Sequence, residues 1–222
     1  MPTNKIYASF RENVYPYLRG QGFVMRPPWD AYRIRGELVD CISIQKSRWG
    51  WGFYIHYFTK LLSSPFGDPT NGYNVGHRMQ PAPDVVPWDA ETEQDATLAM
   101  QDVLQRLQTE ALPWFERIRG ACEFAELIDE EELHAFVDEQ YVLAQAICGD
   151  KERAMSASSM SKSKILADGQ LSKNDAAAFL RVLEEVEDAI ECHTLEEYVA
   201  GKRAENMAKA KLKPSAVQKR LR

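Results

Sequence analysis

The sequence predicts an α+β fold with an N-terminal helix, a four- to five-stranded antiparallel meander sheet and a C-terminal helical half. Three observations predict it. Residues 4–18 repeat apolar side chains at helical spacing, residues 22–58 form short alternating segments between turns, and residues from 92 onward return to helical spacing. We therefore expect an α+β domain over residues 1–120 and a helical region over residues 121–222. The helical region either packs on the first domain or forms a small second one.

The first helix is predicted by Ile6, Phe10, Val14 and Leu18, which fall on one side of a helix. Pro16 lacks the backbone N–H that a helix interior needs, so we expect the helix to end or kink there. The apolar side of this helix should cover one face of the sheet.

Four strands are predicted, over residues 22–26, 31–35, 38–46 and 53–58. The turns between them are short, so neighbouring strands should run antiparallel. Residues 63–90 contain five prolines and three glycines, which favours a loop, with room for an edge strand over residues 73–79. A loop of this length in a compact domain is either functional or a cover over the sheet.

Capping residues predict where the later helices begin. Thr92, Ser172 and Thr194 are each followed three residues later by an acidic residue, which is the pattern of a capping box. We also expect Asp129 to cap a helix whose first turn is acidic and therefore matches the positive end of the helix dipole.

Breaking residues predict where these helices end. Pro113 should break the helix that begins after Thr92, and Pro214 should end the last one. Gly149 should close the helix that follows Asp129. Residues 154–169 are serine-rich and weakly patterned, which predicts a poor helix or a linker.

The net charge of −6 is distributed unevenly along the chain. Residues 84–150 hold seventeen Asp and Glu against three Arg, whereas residues 198–222 hold eight Lys and Arg against one Glu. This asymmetry predicts either a charged partner, with a basic surface, or contact between the two ends of the chain. In the second case the basic tail lies on the acidic helices of residues 84–150, or on a neighbouring subunit. The sequence sets no oligomeric state.

The expected location is the cytoplasm. No apolar run approaches the roughly 20 residues that a membrane-spanning helix needs, and the N-terminus has no apolar core of a signal peptide. The four widely spaced cysteines form no CxxC pair, so we expect free thiols, with Cys41 and Cys148 buried.

Several short motifs resemble a family of uncharacterised bacterial proteins catalogued as a domain of unknown function. The motifs are Gly22-Phe23, then Ile44-Gln45-Lys46-Ser47 followed by Trp49-Gly50, then Phe53-Tyr54-Ile55, and finally Leu112-Pro113-Trp114-Phe115. The resemblance spans residues 4–119 and implies an α+β fold. Because some similar proteins lie beside toxin genes, it also implies a role as a toxin-immunity factor.

Three further positions bear on the resemblance. The His77-Arg78 pair and Trp88 occupy places where such proteins often have an Arg and a Trp after the sheet. His56 stands where the family pattern has Asn, so the role of that position does not carry over to this chain.

Most catalytic signatures are missing from the sequence. It has no GxxxxGK[ST] or GxGxxG phosphate loop, no converging set of metal ligands and no calcium-loop spacing. Ser47 with His56 or His77 is a conceivable nucleophile and base, but Ser47 lacks the GxSxG elbow. The sequence therefore leans against an enzyme, and no metal or cofactor is expected.

Three hypotheses for function remain. The first is a non-enzymatic protein-binding module, with toxin neutralisation as its sharpest form. The second is a small-molecule or enzymatic site at the sheet face and the 63–90 loop, with shifted pKa values in a deep pocket. Its candidate residues are Gln45, Lys46, Tyr54, His56, His77 and Arg78.

The third hypothesis, nucleic-acid binding through the basic tail, is less favoured. The body of the protein also offers one basic cluster in the predicted sheet, beside exposed aromatic residues. Its members are Arg26, Arg33, Arg35, Lys46 and Arg48.

Overall fold

The computed structural model of the chain describes residues 3–26, 30–48, 50–65, 75–82, 87–132, 138–169 and 171–213. It confirms the α+β class, with an N-terminal helical segment, a five-stranded antiparallel sheet and a helical C-terminal half. Trp49, Tyr73 and Pro214 lie outside the described residues.

The N-terminal segment continues past the predicted stop at Pro16. Helix α1 (Thr3–Ser9) leads into a π-helical turn (Phe10–Val14) and then into helix α2 (Tyr15–Gly20). The wider turn places an i→i−5 bond just before the proline, from Tyr15 N–H to Phe10 O. The helix therefore bypasses the i→i−4 bond that proline cannot make. Of the two predicted outcomes, an end or a kink at Pro16, the first is therefore wrong.

The five strands follow one another in chain order across the sheet. They are β1 (Val24–Arg26), β2 (Asp30–Arg35), β3 (Leu38–Lys46), β4 (Phe53–Leu61) and β5 (Val75–Met79). All neighbours are antiparallel. Strand β4 runs three residues past its predicted end, and β5 is the predicted edge strand.

The two faces of the sheet differ in what covers them. One face packs on the helices through a large apolar cluster, and we call it the inner face. It includes Ile42, Ile55 and Tyr57. The outer face carries a smaller cluster, with Tyr32, Ile34, Val39, Cys41 and Phe58 packed against Ala210 and Leu212 at the end of the described chain. The inner face is therefore buried, and the outer face is covered where this smaller cluster lies.

The helical half consists of α3 (Glu93–Arg106), α4 (Leu112–Arg117), α5 (Ala121–Glu130), α6 (Asp138–Ile147), α7 (Lys151–Ala167), α8 (Lys173–Glu191) and α9 (Leu195–Lys209). A second π-helical turn (Leu107–Ala111) precedes Pro113, so the predicted break there is also wrong. The capping box of Thr92 with Asp95 is present, and the Ser172 side chain caps α8.

Two other helix predictions need correction. Asp129 lies in the last turn of α5 and caps no helix start. Residues 154–169, predicted as a poor helix or linker, lie mostly within the 17-residue helix α7. The small buried side chains Ala154, Ala157 and Ser158 let α7 pack closely on its neighbours, so packing outweighs its weak pattern.

Apolar side chains from both halves of the chain share one buried cluster. Phe124 and Ile128 of α5, Val142 of α6 and Leu183 of α8 belong to the same cluster as Ile42 and the rest of the inner face. Within the described residues, no helix is both long and apolar enough to span a bilayer.

The structure corrects the prediction of four free thiols. Cys122 at the start of α5 and Cys148 after α6 form a disulfide, with Cα atoms 5.4 Å apart and a sequence separation of 26. Cys148 is only half-buried, and Cys41 is buried as predicted.

Candidate functional site

Two arginines of the predicted basic cluster, Arg33 and Arg35, lie in a buried ion-pair network on the inner face. Asp40 is fully buried and accepts hydrogen bonds from Arg33 Nε at 2.9 Å, Arg35 Nε at 2.6 Å and the Thr59 hydroxyl at 3.1 Å. Arg33 also pairs with Glu116 at 3.0 Å. The predicted basic cluster is thus wrong for Arg33 and Arg35, because carboxylates neutralise both within the fold.

The same network anchors the sheet to helix α4. Arg35 donates to the carbonyl oxygens of Phe115 and Ile118, both at 2.8 Å, at the C-terminal end of α4. Burial acts to lower the pKa of Arg35, but the hydrogen bonds and charge of Asp40, with the charge of Glu116, raise it overall. The network is therefore a structural connection between sheet and helix.

Four of the six predicted site residues meet on the outer face, and we call them the outer-face cluster: Gln45, Tyr54, His56 and Arg78. The strand register places Gln45 opposite Tyr54, and His56 opposite Arg78. His56 Nε2 lies 3.0 Å from Gln45 Oε1, and the Arg78 guanidinium lies 4.8 Å from the centre of the Tyr54 ring. Alternation along the strands brings these four side chains to one side.

His56 is neutral at physiological pH. It is 2% exposed, and burial, assisted by the charge of Arg78, lowers its pKa to about 4. Since Gln45 Oε1 can only accept, His56 Nε2 carries the proton of the neutral ring and donates it. A histidine with this pKa is poorly matched to proton transfer near neutral pH.

The remaining two predicted residues, Lys46 and His77, lie on the other side of the sheet. Lys46 pairs with Phe53 in the register and is exposed at the end of β3. His77 pairs with Tyr57 and contacts Trp114 edge-on, with ring centres 5.4 Å apart. The six predicted residues therefore divide between two faces and do not form one site.

His77 belongs to a separate aromatic and acidic group with Tyr57, Trp114 and Glu131. Its Nε2 lies 3.2 Å from Glu131 Oε1, which also accepts from Trp114 Nε1 at 3.4 Å. Burial, with the charges of Glu110 and Glu131, raises the pKa of Tyr57 to about 12. The Tyr57 hydroxyl is therefore protonated at any physiological pH.

The outer-face cluster can recognise a ligand but is poorly suited to acid–base chemistry. Arg78 is exposed and offers a planar cation, and Gln45 is exposed and offers amide groups. Three cavities lined by described residues lie elsewhere, mainly among the helices of the C-terminal half, and none of the three touches this cluster.

The motif residues that carry the family resemblance mostly build the core. Phe23 and Phe115 are buried against each other, with ring centres 6.0 Å apart. Phe53 stacks on Trp88 and exchanges both backbone hydrogen bonds with it. The Ser47 N–H donates to Gly52 O across the turn after β3, at 2.8 Å. These motif residues therefore make contacts that hold the fold together.

The first two cations of the basic tail, Lys202 and Arg203, do not pair with acidic residues of the segment 84–150. Lys202 pairs with Glu185 of α8 at 3.1 Å, and Arg203 pairs with Glu37 at 2.9 Å. The Asn206 side-chain amide donates to Leu62 O and the Lys213 N–H donates to the Tyr32 hydroxyl. These contacts hold the end of α9 against the edge of the outer face.

Sequence reasoning missed Asp40, although a signal for it was present. The tight turn at residues 36–37 fixes the register of β2 and β3, which places Arg33 directly opposite Asp40. An acid in an otherwise apolar strand, opposite an arginine, indicates a buried pair. No comparable local pattern joins Cys122 to Cys148, because helix packing alone brings them together.

Comparison of the chain with curated proteins and with solved structures gave no significant match in either case. One family model does match, and it covers the N-terminal helical segment after Asn13, the whole sheet and helices α3 and α4. The predicted resemblance is thereby confirmed: residues 14–117 match the family described as a domain of unknown function (DUF4304).

Proposed function

We propose that the protein is a non-enzymatic protein-binding module whose helix α5 engages a partner with a basic surface. Neutralisation of a bacterial toxin is the sharpest form of this role. The observation that carries the proposal is the outward side of α5. Glu123, Glu126 and Glu130 recur there at helical spacing, opposite the buried Ala125 and Ile128. Complementary charge speeds encounters and selects among partners.

Helix α5 is well held for such a role. Its buried side packs into the main apolar cluster through Phe124 and Ile128. A surface that is already ordered loses little conformational entropy when it binds.

The acidic side of α5 is also open to exchange of partners. Glu123 pairs with Arg119 and Glu130 pairs with Arg117, but both arginines are largely exposed, at 79% and 61%. Exposed ion pairs contribute little stability, so basic side chains of a partner can replace them at small cost.

Charge reversal on α5 tests this proposal. The variant replaces Glu123, Glu126 and Glu130 with Lys, and it is used as tagged bait in lysate of the source organism, with and without nuclease. We expect a stoichiometric protein that binds the unchanged chain, survives nuclease and is lost from the variant.

The matched control makes the same change of charge on another helix. It replaces Glu184, Asp188 and Glu191, which lie on the exposed side of α8, with Lys. The control should retain the partner. Equal loss from both variants would show that total charge, and not the α5 surface, determines binding.

A second candidate function is small-molecule binding at the outer-face cluster. It is favoured by the contact between Gln45 and His56 and by the stacking of Arg78 on Tyr54. A thermal-shift screen of anionic ligands tests it, with Arg78→Ala as the variant that should lose the response. Arg48→Ala, which removes another exposed cation of the same half, is the control.

Nucleic-acid binding through residues 202–222 has weaker support. Lys202 and Arg203 are already paired with Glu185 and Glu37. A steep fall of affinity with salt, abolished by deleting residues 214–222, would revive this candidate.

The proposal places the protein in the cytoplasm, where Cys122 and Cys148 would be held as thiols. Alkylation in freshly lysed cells, followed by mass spectrometry, tests this location. Labelling of both cysteines supports the cytoplasm, whereas an unlabelled pair indicates an oxidising compartment.

A further inference from the structure

The start of α5 and the end of α6 bring two cysteines together. Cys122 is the second residue of α5, and Cys148 directly follows α6. Their Cα atoms are 5.4 Å apart, within the range of about 4.4–6.8 Å that a disulfide needs. A bond can therefore form between the two sulfur atoms while both helices keep their places.

The packing of α5 on α6 does not depend on that bond. Phe124 and Ile128 of α5 lie in the main apolar cluster together with Val142 of α6. At the other end of the two helices, the Tyr141 hydroxyl donates to Asp129 Oδ2 at 3.2 Å. We therefore expect the fold to persist in both the dithiol and the disulfide form.

The pair can be reached from solvent. Cys122 is exposed and Cys148 is half-buried. The structure describes all four cysteines of the chain, and the other two form no disulfide: Cys41 is buried in the sheet and Cys192 is exposed. A small oxidant or reductant can therefore reach Cys122 and Cys148, which are already placed to join.

The two helix ends favour different forms of the two thiols. Cys122 lies in the first turn of α5, where Gly120, the N-cap residue, has no side chain to cap the free N–H groups. This positive end of the helix stabilises a thiolate, and Arg119, which pairs with Glu123 at 2.9 Å, offsets the nearest negative charge. Cys148 lies at the C-terminal end of α6, where the partial charge is negative and opposes a thiolate. Cys122 is therefore the better nucleophile.

We propose that Cys122 and Cys148 are a redox-active pair that a hydroperoxide oxidises and a dithiol reduces. The Cys122 thiolate attacks the hydroperoxide, so that an S–O bond forms and the O–O bond breaks, and the leaving alkoxide takes a proton from water to become an alcohol. The Cys148 thiol then attacks the sulfenic sulfur. An S–S bond forms, the S–O bond breaks, and the hydroxyl leaves as water with the proton of the thiol.

The electrons balance in both directions. The two thiols give up two electrons, which the O–O bond of the hydroperoxide takes up. A dithiol returns both sulfur atoms to thiols by exchange and itself becomes a disulfide. This activity is separate from the binding proposed for α5.

Trapping of sulfenic acid tests which sulfur attacks. Each protein is fully reduced, freed of reductant and treated with hydrogen peroxide and dimedone, which binds sulfenic acids, and the adducts are located by mass spectrometry. In Cys148→Ser we expect an adduct on Cys122. It should form about tenfold faster than the adduct on Cys148 in Cys122→Ser, because the two helix ends carry opposite partial charges. Equal rates in the two variants would overturn the assignment of Cys122.

Cys192 is the internal control for exposure. It is exposed like Cys122, but it lies at the C-terminal end of α8. In Cys148→Ser we expect its adduct to form about tenfold more slowly than the adduct on Cys122. Equal rates at the two cysteines would show that exposure alone determines reactivity, and the proposal would fail.

The unchanged chain tests the role of Cys148. Starting from the reduced form, peroxide should give the disulfide and little dimedone adduct on Cys122, because Cys148 removes the sulfenic acid first. As much adduct as in Cys148→Ser would contradict this role. Dithiothreitol without denaturant should then restore both thiols, with the same circular dichroism before and after. A need for denaturant would show that the pair is closed to reductants and would end the proposal. Every protein starts reduced, so neither serine variant loses a bond that the unchanged chain keeps.

Discussion

Replacement of Asp40 by Asn tests whether burial, rather than distance, determines the strength of an ion pair in this protein. Asp40 is fully buried and accepts from Arg33 at 2.9 Å and from Arg35 at 2.6 Å. Asn has almost the same shape as Asp but carries no charge. It therefore leaves two guanidinium groups without their main counter-charge inside the fold.

The expected loss follows from the contacts. Removing one partner of a buried ion pair costs about 3–5 kcal/mol, because the other charge stays buried and uncompensated. Arg33 keeps Glu116, and Arg35 keeps the carbonyl oxygens of Phe115 and Ile118. We therefore expect about 3 kcal/mol, near the lower end. For a chain of this length, that corresponds to a fall in Tm of about 6–12 °C.

The control is Glu130→Gln. Glu130 pairs with Arg117 at 3.0 Å, a distance similar to that of the Asp40 pairs. The side chains of Glu130 and Arg117 are, however, each 61% exposed. Exposed pairs contribute about 0–1 kcal/mol. Urea unfolding of both variants, followed by tryptophan fluorescence and circular dichroism, gives the free energies of unfolding. A loss for Asp40→Asn no larger than that for Glu130→Gln would refute the reasoning.

Three further predictions concern stability. His56 has a folded-state pKa of about 4, below its unfolded value of about 6.5, so the unfolded chain binds its proton first. The contribution of neutral His56 to the free energy of unfolding is fully present above pH 6.5 and is lost as the pH falls toward 4. The variant His56→Asn should therefore show a weaker dependence of this free energy on pH, measured by urea melts across that range. Reduction of the Cys122–Cys148 disulfide, which closes a 26-residue loop, should cost about 3 kcal/mol, seen as a lower Tm with dithiothreitol than without. Gly76→Ala should destabilise by about 1–3 kcal/mol, because a Cβ at Gly76 would clash with the backbone of β4. As a control, Gly201→Ala lies in an open position of α9 and should stabilise the protein by about 0.5–1 kcal/mol. If urea melts showed Gly76→Ala to be the more stable of the two variants, the packing of β5 on β4 would be contradicted.

The sheet could be predicted closely from the sequence because its signals are local. Short turns and alternating side chains gave the bounds of β3 without error, and they also determine its register with β2. Strand β4 extends to Leu61 because its last residues pair with the beginning of β3, which is a contact outside any local window.

The helices were harder to predict because packing overrides local preference. A proline predicts a break, but the π-helical turns before Pro16 and Pro113 let both helices continue. Serine-rich sequence predicts a poor helix, yet Ala154 and Ser158 are small enough for α7 to pack closely. Neither effect can be read from propensity alone.

The candidate site was predicted in part. Gln45, Tyr54, His56 and Arg78 do meet on one face, as the period-two alternation of strands requires. His77 lies next to Arg78 in sequence and for the same reason must point to the opposite face. One of the cavities among the helices, lined in part by Lys151 and Arg203, could not be found, because its lining comes from segments far apart in sequence.

The contacts at the end of α9 also constrain the order of events during synthesis. The Lys213 N–H donates to the hydroxyl of Tyr32, 181 residues earlier, and Asn206 donates to Leu62 O, 144 residues earlier. At about 5–20 residues per second, a ribosome needs roughly 9 to 36 seconds to make the chain between Tyr32 and Lys213. Throughout that interval the apolar strip of Ile34, Val39 and Phe58 lacks Ala210 and Leu212. The nascent chain therefore exposes an apolar sheet surface, to which chaperones can bind, until α9 and the residues that follow it emerge.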